Sequence, residues 1–204
     1  MEGLAHDVRE EKKLIGLARR AQPWNLRESR GGGQAAPLVG AVNGRDAAMD
    51  QALLRSYLAT IYELPGPNGS ALRVSLDGEI VQDHSALPEI LLRRFAVLTA
   101  YNPRSMLLPR KVNEQRHHVL RDLLILGCYR VEPCVGFEAE PDGVWREPAW
   151  LVYGMERDEA IAFGRVYRQN TIVYAENGRP EIIVTDPTAD DVGRTFHGNW
   201  RVRS

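Results

Sequence analysis

The chain has 204 residues, of which 44% are hydrophobic and 26% charged, as expected for one globular domain with an extension. Its net charge of −1 provides no global basic field, so nucleic acid is not indicated as a partner. No apolar run approaches the roughly 18 residues that span a membrane, and this predicts a cytoplasmic protein. Cys128 and Cys134 lack a cluster of metal ligands around them, so neither a metal nor a cofactor is predicted.

Residues 1–48 differ in pattern from the rest of the chain. A charged segment with a thin apolar stripe is followed by a glycine-rich break over residues 31–37. Such breaks are typical of linkers. The sequence therefore predicts a flexible or loosely packed extension over residues 1–48, ahead of a domain over residues 49–186.

From Asp50 onwards the hydrophobic pattern is regular. Its periodicity predicts helices over residues 51–59, 87–95, 112–126 and 156–168. Strands are predicted over residues 60–64, 71–76, 96–101, 129–138, 145–153, 171–175 and 181–185. Pro141-Asp142-Gly143 and Asn177-Gly178 are hairpin turn signals, and residues 187–204 are predicted to be an irregular tail. The expected fold is α+β, with a single mostly antiparallel or mixed sheet and helices packed on one face.

The strand predicted over residues 96–101 stops abruptly in polar residues. Proline lacks a backbone N–H and excludes helical geometry from the residue before it, so Asn102-Pro103 fixes the end of this strand. Ligand sites in α/β sheets favour strand ends. We therefore predict a ligand site formed by Tyr101, Asn102, Arg104 and Ser105. The alternative is a turn in which Asn102 bonds its own backbone.

The next helix and the following hairpin add candidates. Arg116 lies at the edge of the apolar stripe of its helix, one turn after Asn113, and needs a carboxylate or an anionic ligand there. In the strand that starts at Trp145, alternation makes Glu147 the only charge in an apolar row. An acid so placed is paired with a cation or has a raised pKa. We predict a catalytic role for Glu147 and ligand binding for Asn113, Arg116 and Trp145. The alternative is a structural Glu147–Arg116 ion pair.

Four further polar residues are interpreted one by one. His117 and His118 diverge on a helix, so they cannot share a metal and are predicted to be surface residues. Asn170 is interpreted as a left-handed cap at the end of its helix. Gln169 has no such explanation and joins the ligand-binding candidates.

Taken together, these residues resemble the bacterial domain of unknown function 3293 family. The resemblance covers roughly residues 53–184 and rests on Thr99-Ala100-Tyr101-Asn102-Pro103-Arg104-Ser105, Asn113, Arg116, Gly143, Trp145, Glu147-Pro148, Gly154 and Gln169-Asn170. The family pattern usually has serine after Glu-Pro, where this chain has Ala149, and this counts against a serine nucleophile. The family offers no activity to carry over, so the resemblance implies a shared site without naming a reaction.

Two functions remain open. The first is binding of, or action on, a small polar anionic ligand such as a nucleotide at the Asn102-Pro103 strand end, with Arg104 and Arg116 holding the anion and Glu147 as base. On this hypothesis Asn102→Ala should change stability by less than about 2 kcal/mol. The second is a non-catalytic protein- or nucleic-acid-interaction module whose polar motif is structural. The sequence has no phosphate loop or nucleophile elbow, and it leaves open whether the chain is an enzyme and whether it forms oligomers.

Overall fold

The computed structural model describes residues 51–79, 87–138, 145–187, 189 and 192–203. The strands are β1 (Ile61–Pro65), β2 (Ala71–Ser75), β3 (Phe95–Leu98), β4 (Arg130–Phe137), β5 (Arg146–Tyr153), β6 (Thr171–Glu176), β7 (Arg179–Val184), β8 (Thr195–His197) and β9 (Arg201–Arg203). The helices are α1 (Gln51–Ala59), α2 (Glu89–Leu92), α3 (Arg110–Leu126) and α4 (Arg157–Val166). Together the strands form one curled antiparallel sheet, in the order β8-β7-β6-β3-β5-β4-β1-β2-β9.

Both faces of the sheet bury apolar side chains, because successive residues of a strand point to opposite sides. In β3, Phe95 and Val97 belong to one core cluster, whereas Ala96 and Leu98 belong to the other. Helices α3 and α4 pack on the second side, called here the Leu98 face. Helices α1 and α2 contribute to the core on the first side, the Phe95 face. The predicted α+β class with one antiparallel sheet is confirmed.

Most predicted elements occur close to their expected positions, with one clear exception. The helix expected over residues 87–95 is a single turn, α2, since Arg93 is already extended and Phe95 begins β3. Periodicity misled here because Phe95 belongs to the strand alternation of a fully buried segment. The hairpin turn over residues 141–143 and the extension over residues 1–48 lie outside the described residues, so both stay predictions.

The C-terminal segment is not the irregular tail that the sequence predicts. Strand β8 pairs with β7, and β9 pairs with β2, where Val202 lies opposite Val74. Between them Trp200 is 5% exposed and stacks on Phe95 with ring centroids 6.0 Å apart. Strands of three residues are too short to give a periodic signal, which explains the wrong prediction.

No helix within the described residues is long and apolar enough to cross a bilayer.

Candidate functional site

The end of β3 is surrounded by three other elements. Strand β3 lies between β5 and β6 and is antiparallel to both, so its C-terminal end meets the N-terminal ends of its two neighbours. The C-terminal end of α4 leads directly into β6 at the same edge of the sheet. The site hypothesis requires the strands that begin near Ala96 and Trp145 to be neighbours, and this is confirmed.

Asn102 and Asn113 form a reciprocal pair between the turn after β3 and the start of α3. The Asn102 backbone N–H donates to Asn113 Oδ1 at 3.0 Å, and Asn113 Nδ2 donates to Asn102 Oδ1 at 2.7 Å. Both side chains also bond Leu108, whose N–H donates to Asn102 Oδ1 and whose carbonyl accepts from Asn113 Nδ2, each at 3.2 Å. Asn113 is only 4% exposed, so these bonds replace water for backbone groups beyond the strand.

Arg116 is likewise engaged by backbone carbonyls. Its Nε donates to the carbonyl of Ala100 at 2.8 Å and its Nη2 to that of Tyr167 at 3.1 Å. Burial lowers its pKa below the usual arginine value. The alternative of a Glu147–Arg116 ion pair is wrong. Glu147 belongs to the residues of β5 on the Phe95 face, whereas α3 carries Arg116 on the Leu98 side.

Gln169 and Thr99 complete the support of the same turn. Gln169 is 9% exposed, and its Nε2 donates to the carbonyl of Tyr101 at 2.8 Å. The hydroxyl of Thr99 donates to the Pro148 carbonyl at 2.9 Å and accepts from the Tyr101 N–H at 3.1 Å. The strand can therefore stop abruptly because side chains take over the hydrogen bonds that a neighbouring strand would otherwise supply.

The turn after β3 has an unusual backbone. Asn102, Arg104 and Ser105 have φ of +40°, +54° and +56°. Asparagine tolerates this left-handed region, but arginine and serine rarely adopt it. The Arg104 N–H is held by the carbonyl of Arg168 at 2.7 Å, so contacts with other elements maintain the conformation. Backbone strain of this kind is concentrated at functional sites.

A second set of polar groups lies at the far end of this turn. Asn170 Nδ2 donates to Ser105 Oγ at 2.9 Å and to the Tyr57 hydroxyl at 3.4 Å. Arg104 Nη2 lies 3.4 Å from Asp186 Oδ1. The interpretation of Asn170 as a left-handed cap is wrong, because the residue with positive φ after α4 is Arg168. Tyr57 was not a sequence candidate, since it belongs to the apolar pattern of α1.

Glu147 interacts with both sets of polar residues, because it bonds Asn102 and acts electrostatically on Tyr57. It is 8% exposed, its Oε2 accepts from Asn102 Nδ2 at 3.3 Å, and no cation of the described residues pairs with it. Burial raises the pKa of Glu147 to about 7, while hydrogen bonds from the side chains of Thr99 and Asn102 act in the opposite direction. Repulsion from its carboxylate also contributes to the raised pKa of Tyr57. Of the two outcomes that the sequence left open for Glu147, a cation partner or a raised pKa, the structure favours the raised pKa, and the catalytic role stays a prediction.

The remaining aromatic candidates flank this site without hydrogen bonds to it. Trp145 packs beside Gly136, which pairs with Glu147 across the sheet. The ring of Tyr101 meets that of His117 edge-on at 5.3 Å, and His117 stacks on Trp150 at 4.6 Å. His117 is 8% exposed, so its prediction as a surface residue is wrong. Burial lowers its pKa to about 4.

Replacing Arg116 by methionine is expected to lower the free energy of unfolding by about 2 kcal/mol, because two backbone carbonyls lose their donor in a half-buried position. Urea unfolding would measure this change. Arg121→Met, at an exposed position of the same helix, should change stability by less than about 0.5 kcal/mol. Equal effects at the two positions would mean that the bonds of Arg116 contribute nothing.

Other features of the described residues lie elsewhere. Two surface depressions of about 460 Å³ are lined by residues around the β6–β7 turn and along α3. Among the described residues, no group of three His, Cys, Asp or Glu is arranged to hold a metal. The strand-end cluster is therefore the candidate site because of its buried acid and its strained turn.

The fold and this cluster define an antiparallel α+β domain with a polar network at one strand end. Comparison with family models identifies it further: residues 98–172 match the model described as protein of unknown function (DUF3293). Residues 98–172 are therefore similar to the DUF3293 family, in line with the sequence resemblance. The match runs from the end of β3 into β6 and contains the whole reciprocal asparagine pair. No curated protein and no solved structure matches the chain.

Proposed function

We propose that this domain binds a small polar molecule at the end of β3, between the turn over residues 102–105 and the side chains of Glu147 and Tyr57. The observation that carries the proposal is the buried carboxyl of Glu147, which has an amide donor but no cationic partner in the described chain. A buried acid without a compensating charge is costly to the fold. A ligand donor would supply the missing compensation.

Glu147 gives the proposed site a group that can exchange a proton near neutral pH. With a pKa of about 7, its neutral and ionised forms are present in similar amounts under physiological conditions. This is the range in which a general acid or base works best. Asn102 holds the carboxyl through one hydrogen bond, so the group is oriented before a ligand arrives.

The contacts of Arg104 and Arg116 indicate which class of ligand the proposed site would bind. Arg116 is used by backbone carbonyls, which leaves Arg104 to hold an anionic group such as the phosphate of a nucleotide. Arg104 Nε is buried without a hydrogen-bond partner in the described residues, and its terminal nitrogen lies 3.4 Å from Asp186. Nε is therefore an unused donor beside the Asp186 contact, and an anion that opened the site could bond it. Ser105 and Tyr57 offer hydroxyl groups at the same edge.

A second function is favoured by a different observation. Asn113, Arg116 and Gln169 direct their side-chain donors to backbone carbonyls or to Asn102, and Asn102 Oδ1 accepts from the Leu108 N–H. This is what a structural motif in a non-catalytic protein- or nucleic-acid-interaction module requires. On that proposal the buried Glu147 would only lower the stability of the fold, and its replacement would not affect binding of a small molecule.

The proposal is tested by thermal-shift measurements against nucleotides, sugar phosphates and organic acids. A ligand at a large excess over its dissociation constant should raise the melting temperature by several degrees. The shift should disappear in Glu147→Gln and persist in Glu176→Gln, whose side chain is exposed at the opposite end of β6. A ligand that shifts all three proteins equally, or a panel without any shift, would contradict the proposal.

A further inference from the structure

Helices α3 and α4 cover only part of the Leu98 face. Val131 of β4 packs in the core of that face, and alternation places Phe137 on the same side. Directly paired residues of neighbouring strands share a face, so Arg146 of β5 lies beside Phe137. Within the described residues, this side of the sheet is exposed or half-exposed over β4, β1, β2 and β9, apart from the buried Ser75 of β2.

Four arginines gather on this uncovered part. The strand pairs Glu63–Arg73 and Arg73–Arg203 continue the same face towards the sheet edge. We call the surface the arginine face, and it consists of Glu63, Arg73, Phe137, Arg146, Arg201 and Arg203. The four arginine side chains are 52%, 58%, 46% and 27% exposed for positions 73, 146, 201 and 203. Glu63 and Asp77 are the acids that pair with them, so four positive and two negative charges leave a local excess of two.

An aromatic ring lies between two of these cations. The guanidinium carbons of Arg146 and Arg73 are 5.3 and 5.9 Å from the centroid of the Phe137 ring. Phe137 is half-buried, so part of the residue is exposed to solvent beside the two guanidinium groups. The arrangement holds planar cations and a planar apolar ring together on a sheet surface.

We propose that the arginine face binds single-stranded nucleic acid. Arginine forks pair with phosphates, while exposed bases stack on aromatic rings and on guanidinium planes. Strands are about 4.8 Å apart, so the distance from β5 to β9 is about 19 Å, which is enough for a few nucleotides. The surface is separate from the strand-end site, and the inference does not depend on the function proposed for that site.

Single-stranded nucleic acid fits this surface better than a duplex does. A duplex offers phosphates but keeps its bases stacked, so Phe137 would have no partner. The net charge of −1 for the whole chain gives no reason to expect binding elsewhere. Local charge and the half-buried Phe137 together therefore select the partner.

Replacing Glu63 tests the inference most directly, because the Glu63 carboxylate pairs with two of the four arginines of the arginine face. Arg73 Nε donates to its Oε2 at 3.1 Å, and Arg146 Nη2 lies 3.4 Å from its Oε1. The carboxylate also repels phosphate. Glu63→Gln should therefore tighten nucleic-acid binding by about threefold or more at low salt, an effect that loss of folding cannot imitate.

The experiment is fluorescence anisotropy of a labelled 12-nucleotide oligo-uridine, titrated with the full chain at several salt concentrations. Arg73→Gln combined with Arg146→Gln should weaken binding at least about tenfold and reduce the salt slope by about 1.4, the value for two lost phosphate contacts. Phe137→Ala should weaken binding about fivefold or more without changing the slope. The matched control is Arg121→Gln combined with Arg165→Gln, which removes two exposed helical arginines and should change neither quantity.

Four results would overturn the inference, and the first three concern the wild-type chain, the arginine variants and the duplex. They are no binding by the wild-type chain at low salt, equal losses in the control and in the Arg73 and Arg146 variant, and competition by a duplex as strong as that by the single strand. Failure of Glu63→Gln to tighten binding would overturn it as well. Because these readouts use no small ligand, they are independent of the thermal-shift test of Glu147.

Discussion

Asn102→Ala is expected to lower the free energy of unfolding by about 4 kcal/mol, more than any other single change in the turn after β3. Two contributions add up. An alanine in the left-handed region costs about 1–2 kcal/mol. The loss of the side chain leaves the Leu108 N–H without a partner, at about 1–3 kcal/mol, and removes one of the two acceptors of the buried Asn113 Nδ2, which keeps the Leu108 carbonyl. This exceeds the sequence-based expectation of less than about 2 kcal/mol.

The two contributions can be separated by Asn102→Gly. Glycine adopts the left-handed region without penalty, so this variant should recover about 1 kcal/mol relative to alanine while still lacking the side-chain bonds. Chemical denaturation of both variants and the wild type measures the difference. Identical stabilities for alanine and glycine would mean that the backbone conformation at this position has no energetic importance.

Glu147→Gln should change the pH dependence of stability. The folded protein holds a proton on Glu147 up to a pKa of about 7, whereas a model carboxyl loses it near 4.5. The folded state thus binds more protons between these values, so the stability contributed by the neutral acid is fully present below pH 4.5 and is lost as the pH rises to about 7. Glutamine stays neutral. The stability of the variant relative to wild type should therefore rise by about 3 kcal/mol over this interval.

The difference between the two proteins is the quantity to measure. His117 acts in the opposite sense, because its lowered pKa of about 4 makes the protein lose stability as the pH falls below 6.5. That contribution is common to both proteins and cancels in the comparison. Urea unfolding at pH 4.5, 6 and 8 is sufficient. A difference that does not depend on pH would mean that Glu147 titrates normally in the folded chain.

Sequence patterns predicted the sheet well wherever a strand was long enough to alternate. The row that contains Glu147 is an example, since its alternation with Ala149 and Leu151 gave the buried acid correctly. Alternation does not state which face a helix covers, however. The sequence therefore left a Glu147–Arg116 ion pair open as an alternative, although β5 and α3 place the two residues on opposite sides of the sheet.

The candidate site was predicted in position but not in its detailed bonding. Asn102-Pro103 marked the turn that follows the strand, although β3 already ends at Leu98 instead of Tyr101, and Asn113 and Gln169 reach this turn. Their partners are backbone groups, and a sequence gives no direct signal for an orphaned carbonyl. Tyr57 was missed because it fits the apolar pattern of its helix, and only tertiary packing reveals its contact with Asn170. His117 was wrongly placed on the surface because the sequence argument considered it only as a metal ligand, whereas its ring stacks on Trp150.

The two short strands at the margins of the sheet have a consequence for self-association. An open sheet offers unpaired N–H and C=O groups at each edge, and such edges can recruit a second chain into a continuous ladder. Here the marginal strands of the described sheet, β8 and β9, have three residues each, and β9 reads Arg-Val-Arg. A second copy added in register at β9 would gain few ladder bonds and would bring like charges together. The brevity of both strands and the charge of β9 therefore disfavour polymerisation of the domain through the described edges of its sheet.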